Sequence, residues 1–332
     1  MKIDRRDFVL AAAAAATAIP AAAASYTLVT GPNGKTLKTG EGKEVFTYLT
    51  SKPAGSKLAG NSACCFHPLR TPSGEVTTNF APADFPDHRG LYLAWHTMEF
   101  RKPGDFSTMG PYKPTHGYDI NRGDFWGWGL YAPTDGRVIV NKDLRMTKGD
   151  ATSAVVDVHN DWMIDKDKVL DEATTVSVHE APGAYVLDFA IRLSSTYQVT
   201  IPQISFSGFS FMNRTDGKFT YAGPKGPSTY TDPHYSVLDL NWPSADWYSY
   251  TLTTTGGKTI TNVVMDHPLN PPTTWHNPRY IWMTNPCIAA KQAINMPAGK
   301  PLTLRYRVVV HDGALPAGYA EKLFAEWKNS RA

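Results

Sequence analysis

The chain has 332 residues, a formal net charge of +3 and no basic block, which argues against nucleic acid as a partner. Its three cysteines, Cys64, Cys65 and Cys287, are too few for a disulfide framework, although one of the adjacent pair could join Cys287. Aromatic residues are 12% of the chain, with 9 Trp and 16 Tyr, and exposed rings of this kind suit the faces of sugars.

The N-terminus carries Arg5-Arg6 with Phe8 and Val9 behind them, then an alanine-rich apolar run to Ala24. A basic start, a short apolar stretch and small terminal residues predict a twin-arginine signal peptide over 1–24, cleaved after Ala24. That address is the periplasm, reached by a route that carries folded proteins. The run is shorter than the ~20 residues a membrane helix needs, so no membrane span is expected after cleavage. Residues 25–332 are expected to form one β-sandwich domain.

Period-two alternation predicts strands at 44–49, 91–98, 137–146, 153–160, 174–180, 204–212, 248–254 and 259–265. The clearest cases are Tyr185, Leu187, Phe189, Ile191 and Leu193, and Leu304, Tyr306, Val308 and Val310. Helical spacing appears at 317–328, where Tyr319, Leu323, Phe324 and Trp327 share a face behind Pro316. The predicted fold is all-β, a large antiparallel sandwich with a C-terminal helix outside the sheets. Loop-rich stretches at 67–90, 99–128, 213–247 and 266–280 interrupt the strands, and loops on a rigid scaffold commonly carry function.

Those loops hold a suggestive set of histidines: His67, His88, His96, His116, His267 and His276. Neutral imidazole near pH 7 is a proton shuttle or a metal ligand, so several in one cleft would make an acid–base pair or a single divalent metal site. No spacing matches a known metal signature, and the cofactor stays open. His159, His179, His234 and His311 are set aside. Asp87, Asp119, Asp124 and Asp266 stand beside the same motifs, either as catalytic carboxylates or as groups orienting a histidine. There is no Gly-x-Ser-x-Gly elbow, phosphate loop or dinucleotide fingerprint. Cys64 and Cys65 read as buried strand residues.

Phe66-His67-Pro68-Leu69-Arg70, Pro86-Asp87-His88-Arg89-Gly90-Leu91 with Trp95 behind it, Asp124-Phe125-Trp126-Gly127, Asp266-His267-Pro268-Leu269-Asn270-Pro271 with Trp275-His276, and the run 304–313 together resemble the PmoA-like family of exported bacterial proteins. The likeness covers roughly residues 45–315. The "methane oxygenase" label attached to that family does not suit an exported β protein. The resemblance implies a galactose-mutarotase-like supersandwich and a carbohydrate site built from His67, His88, Arg89, His267 and His276. Where the family often has two adjacent histidines before Arg-Gly, Asp87 takes the first place here.

The leading expectation is an enzyme acting on a sugar or glycoside, a lyase, hydrolase or epimerase using histidine acid–base chemistry. His88, His267, His67 and Arg89 are the expected catalytic set, with Arg89 on a carboxylate or developing negative charge. His276, Asn270, Asp87, Trp95, Trp126 and Trp275 are expected to bind substrate, the tryptophans by stacking. The alternatives are a non-catalytic carbohydrate-binding protein and a mononuclear metal oxidoreductase.

Overall fold

The computed structural model describes residues 25–102 and 120–330. The predicted signal peptide, His116 and Asp119 lie outside the described residues.

Among the described residues, the largest sheet has nine antiparallel strands. Its centre is the predicted pair Ala184–Ser194 and Leu302–Asp312, flanked by Asp167–Ala181 and Ser153–Ile164 on one side and Thr259–Asp266 and Trp247–Thr254 on the other. Ser153–Ile164 alternates half-buried and buried residues without a break, the signature of a strand with one face on a core. Only Pro182 and Gly183 separate two of the longest strands, and Gly183 has φ +70°, a value that a side chain would strain in so tight a hairpin.

A seven-stranded sheet lies opposite, with Cys65–Leu69, Leu91–Ala94, Gly208–Met212 and Met283–Thr284 in spatial order at one side. Aromatic contacts join the two sheets. Phe66 and Phe209 of the smaller sheet meet Phe189 of the larger at 5.3 Å each, and Phe209 stacks on Tyr306 at 4.2 Å. One continuous apolar cluster runs between the layers. The molecule is therefore a large antiparallel β-sandwich.

The outer face of the nine-stranded sheet carries the helix Tyr319–Trp327, which starts two residues after and ends one residue before its predicted bounds. Leu323, Phe324 and Trp327 pack on Val186, Val263, Met265 and Val309. Arg307 ties the helix down, donating to Asp188 Oδ1 and Oδ2 at 2.6 and 2.8 Å and to the Leu323 carbonyl at 2.8 Å. The predicted strand 91–98 is two strands, Leu91–Ala94 and Met98–Arg101. The chain leaves the seven-stranded sheet at Trp95 and enters a separate four-stranded one. All three cysteines are free and buried.

Candidate functional site

Each of the four loop-rich stretches lends residues to one cleft of about 320 Å³. Asp87 and His88 come from the first, Trp128 from the end of the second, His234 and Tyr235 from the third, and His276 and Tyr280 from the fourth. Phe206 also lines it, two residues ahead of the strand Gly208–Met212.

Local hydrogen bonds explain how irregular chain holds these side chains. Asp124 Oδ1 accepts from Gly127 N at 2.8 Å, and Oδ2 accepts from Trp128 N and Gly129 N at 3.1 and 2.6 Å. That turn buries Trp126 behind His88 and leaves Trp128 partly exposed on the cleft. A Cβ on Gly127 would come within 2.3 Å of Gly60 Cα, so only glycine allows the two loops to cross so closely. Burial raises the Asp124 carboxyl to about 6 despite these donors. The Ser205 hydroxyl donates to the Tyr235 carbonyl, and Asn285 donates to the Ser207 and Phe209 carbonyls at 3.2 and 2.8 Å, fixing the segment that carries Phe206.

His276 is 1% exposed and its Nδ1 lies 3.0 Å from Asn241 Oδ1. The Asn241 amide nitrogen donates to Ser205 O and to Thr274 Oγ1, at 2.6 and 3.0 Å, so its oxygen is the atom facing the ring. An oxygen there requires a proton on Nδ1 and leaves the Nε2 lone pair as a base. Burial, followed by the fields of His96, His234 and His88, pushes this imidazole down to about 3, so it is neutral at pH 7.

His88 stacks on Phe85 at 5.4 Å and meets Trp126 edge-on at 5.5 Å. Its Nε2 lies 3.7 Å from Asp87 Oδ2, and its Nδ1 is buried with no partner. Burial lowers its pKa, against the opposing pull of Asp87. The same Asp87 oxygen accepts from Trp126 Nε1 at 2.8 Å. His96 is fully buried, stacked on Phe206 at 4.2 Å, with neither ring nitrogen hydrogen-bonded, and burial lowers it to about 3.

The other expected site residues lie elsewhere. Arg89 is fully buried, its guanidinium donating to the Phe125 and Trp126 carbonyls at 3.1 and 2.7 Å and lying 4.5 Å over the Tyr92 ring. It braces the turn behind the cleft instead of meeting an anion there. His67 stacks on Phe80 at 5.1 Å with Nδ1 2.9 Å from Thr78 Oγ1, and burial lowers it to about 4. His267 meets Trp327 of the C-terminal helix edge-on at 4.8 Å. Asn270 donates to Asp266 Oδ1 and the Arg305 carbonyl, both at 2.7 Å. His267 and Asn270 line a separate, open groove of about 350 Å³ with Asp266 and Lys291. Trp95, Trp126 and Trp275 are fully buried, so none offers a ring face at the surface.

Residues that sequence reasoning missed are Trp128, Phe206, Tyr235, Tyr280 and the set-aside His234. The repeat Trp126-Gly127-Trp128-Gly129 was a usable signal, since glycines between large rings mark a tight turn that can face rings in different directions. Among the described residues, no three His, Cys, Asp or Glu side chains are grouped as a metal-holding set. No described helix is long and apolar enough to cross a membrane.

The chain matches a family described as a family of unknown function, DUF6807, over residues 37–325, and belongs to it. No curated protein matches. Solved structures with a similar fold include an alpha-galactosidase of Geobacillus stearothermophilus, 10% identical over 89% of this chain and 39% of that one, TM-score 0.41. Another is a galactose mutarotase related enzyme of Lactobacillus acidophilus, 8% identical over 87% of this chain and 100% of that one, TM-score 0.36. A third is the alpha-galactosidase of Lactobacillus brevis, 9% identical over 87% and 39%, TM-score 0.35. The chain thus spans about two fifths of either alpha-galactosidase.

Proposed function

We propose that this family member binds a carbohydrate ring in the His88–His276 cleft and transfers a proton on it, as a sugar epimerase or lyase does. The observation that carries the reading is the convergence of Asp87, His88 and a neutral His276 with the exposed rings of Trp128 and Tyr235 around one ring-sized cavity. Aromatic faces bind the apolar side of a sugar, and the flanking polar groups bind its hydroxyls. His276, with Nδ1 committed to Asn241, is the base. The Asp87–His88 pair is the acid that gives a proton back to the substrate. Asp87 is the one carboxylate lining the cleft among the described residues, which favours proton transfer over hydrolysis by two facing carboxylates. The motif likeness to the PmoA-like family is consistent with a sugar ligand, and the Arg5-Arg6 leader extends the reading to a periplasmic protein.

The test is a panel of neutral sugars and glycosides followed by proton NMR in D2O, which reports epimerisation, elimination and solvent exchange together. Turnover of one member, lost in His276→Ala and His88→Ala with both variants folded, is expected. Unchanged turnover in both variants would sink the reading. The exposed rings favour one alternative, a binding protein without chemistry. It predicts that Trp128→Ala abolishes binding while the histidine variants bind normally and nothing is turned over.

A further inference from the structure

The rings at the cleft mouth continue beyond it. Trp128, 37% exposed, lines the cleft and meets Tyr131 at 5.7 Å, outside the cavity. Tyr131 is 42% exposed and Leu130 beside it 56%, so the chain presents three large apolar side chains to solvent within four residues. Contiguous exposed apolar surface of this kind marks a binding surface more often than chance. Tyr235, on the other side of Trp128, meets it edge-on at 5.2 Å. The result is a shelf of rings leading out of a pocket.

Beneath the shelf lies His96. Its ring centroid is 5.3 Å from that of Tyr131 and 5.9 Å from that of Trp128. Both its nitrogens are buried and unpartnered, which is costly for an imidazole unless some state of the protein supplies a partner. The rings above it are surface side chains, free to change rotamer when something settles on them. No Lys or Arg lines the cavity among the described residues, so the shelf adjoins a site suited to an uncharged ligand.

We infer that Trp128 and Tyr131 form a second sugar subsite, so that the ligand is a neutral oligosaccharide with one ring in the pocket and the next on the shelf. His96 gains a hydroxyl as hydrogen-bond partner when that second ring is bound. This rests on the carbohydrate reading of the pocket and adds chain length to it.

The test is calorimetry of the full chain with mono-, di- and trisaccharides of the malto-, cello- and galacto- series. In one series the disaccharide or trisaccharide is expected to bind about tenfold more tightly than the monosaccharide, the size of one added aromatic contact. Tyr131→Ala should cancel that gain and leave the monosaccharide affinity alone, while Tyr131→Phe should retain it. A monosaccharide that binds with no gain on lengthening overturns the subsite and leaves the pocket reading standing. A gain that survives Tyr131→Ala also overturns it. Binding of no sugar in any series overturns pocket and shelf together.

Discussion

Two parts of this molecule are built around the same dipeptide and do different work. Asp87-His88 and Asp266-His267 each place a buried histidine beside a carboxylate, and each histidine has one ring nitrogen without a partner. At Asp87-His88 the neighbouring rings are Phe85, which lines the cavity, and the buried Trp126 behind it. At Asp266-His267 most polar groups pair with one another, although His267 Nε2 is left without a partner. Asn270 bridges Asp266 to the Arg305 backbone, His267 Nδ1 accepts from Leu269 N at 3.1 Å, and the ring is set against Trp327. The first arrangement leaves hydrogen-bonding capacity facing a space. The second is a latch between the sheet and the C-terminal helix.

The comparison breaks most directly on the histidines themselves. His276→Ala is expected to lower turnover of the folded fraction by about 10²–10⁴-fold, the usual worth of a positioned general base, beyond the stability lost with a buried, hydrogen-bonded ring. His267→Ala should leave turnover of the folded enzyme within about twofold of wild type. If His267→Ala proves the more damaging to turnover, the roles of cleft and latch are exchanged. Next in size is Trp327→Ala. Removing a nearly buried ring that meets His267, Phe324 and the Arg307 guanidinium should cost about 3 kcal/mol in urea denaturation, with turnover intact in the folded fraction. Smaller again is Asn241→Leu, which frees the His276 tautomer without touching a ligand. A loss of about tenfold in kcat with KM little changed is expected, and equal effects on both would mark Asn241 as a binding residue.

Much of the fold was legible because burial follows backbone period. Ala184–Ser194 and Leu302–Asp312 alternate in sequence because one face meets the sandwich interior while the other meets the helix or solvent. Thr27–Gly31 and Gly34–Lys38 escaped notice because they form an edge hairpin, exposed in the first strand and half-buried in the second, with no apolar rhythm. The site was legible by residue type and by loop, since all four loop stretches contribute to the cleft. Sorting its members was not. Whether His88 or His67 faces a cavity depends on which ring stacks against it, and Phe85, Phe80 and Trp327 look alike in sequence. The tryptophans show the same limit. Trp95 and Trp275 turn inward, whereas Trp128, two residues from the buried Trp126, turns out.

The buried histidines of the cleft side and the latch carboxylate should also respond to pH with opposite signs. His276 and His96 fall from 6.5 to about 3 in the folded chain, so between those values the unfolded state binds the extra proton. Their contribution to stability is complete above pH 6.5 and is lost as pH falls toward 3, at up to about 1.4 kcal/mol per pH unit for each group. Asp266, half-buried in the latch, is raised by desolvation from 3.8 to about 7. There the folded state holds the extra proton, so its contribution is complete below pH 3.8 and is lost as pH climbs toward 7. Denaturation curves from pH 4 to 7 on two variants separate the terms. His276→Gln should make stability fall less steeply with acid than in wild type, and Asp266→Asn should remove the opposing loss toward neutral pH. Because Asp266→Asn is expected to steepen the net rise of stability with pH and His276→Gln to flatten it, a flattening by both variants would show that the latch carboxylate is ionised in the fold. The contrast between a cleft of neutral bases and a latch holding a protonated acid would then fail.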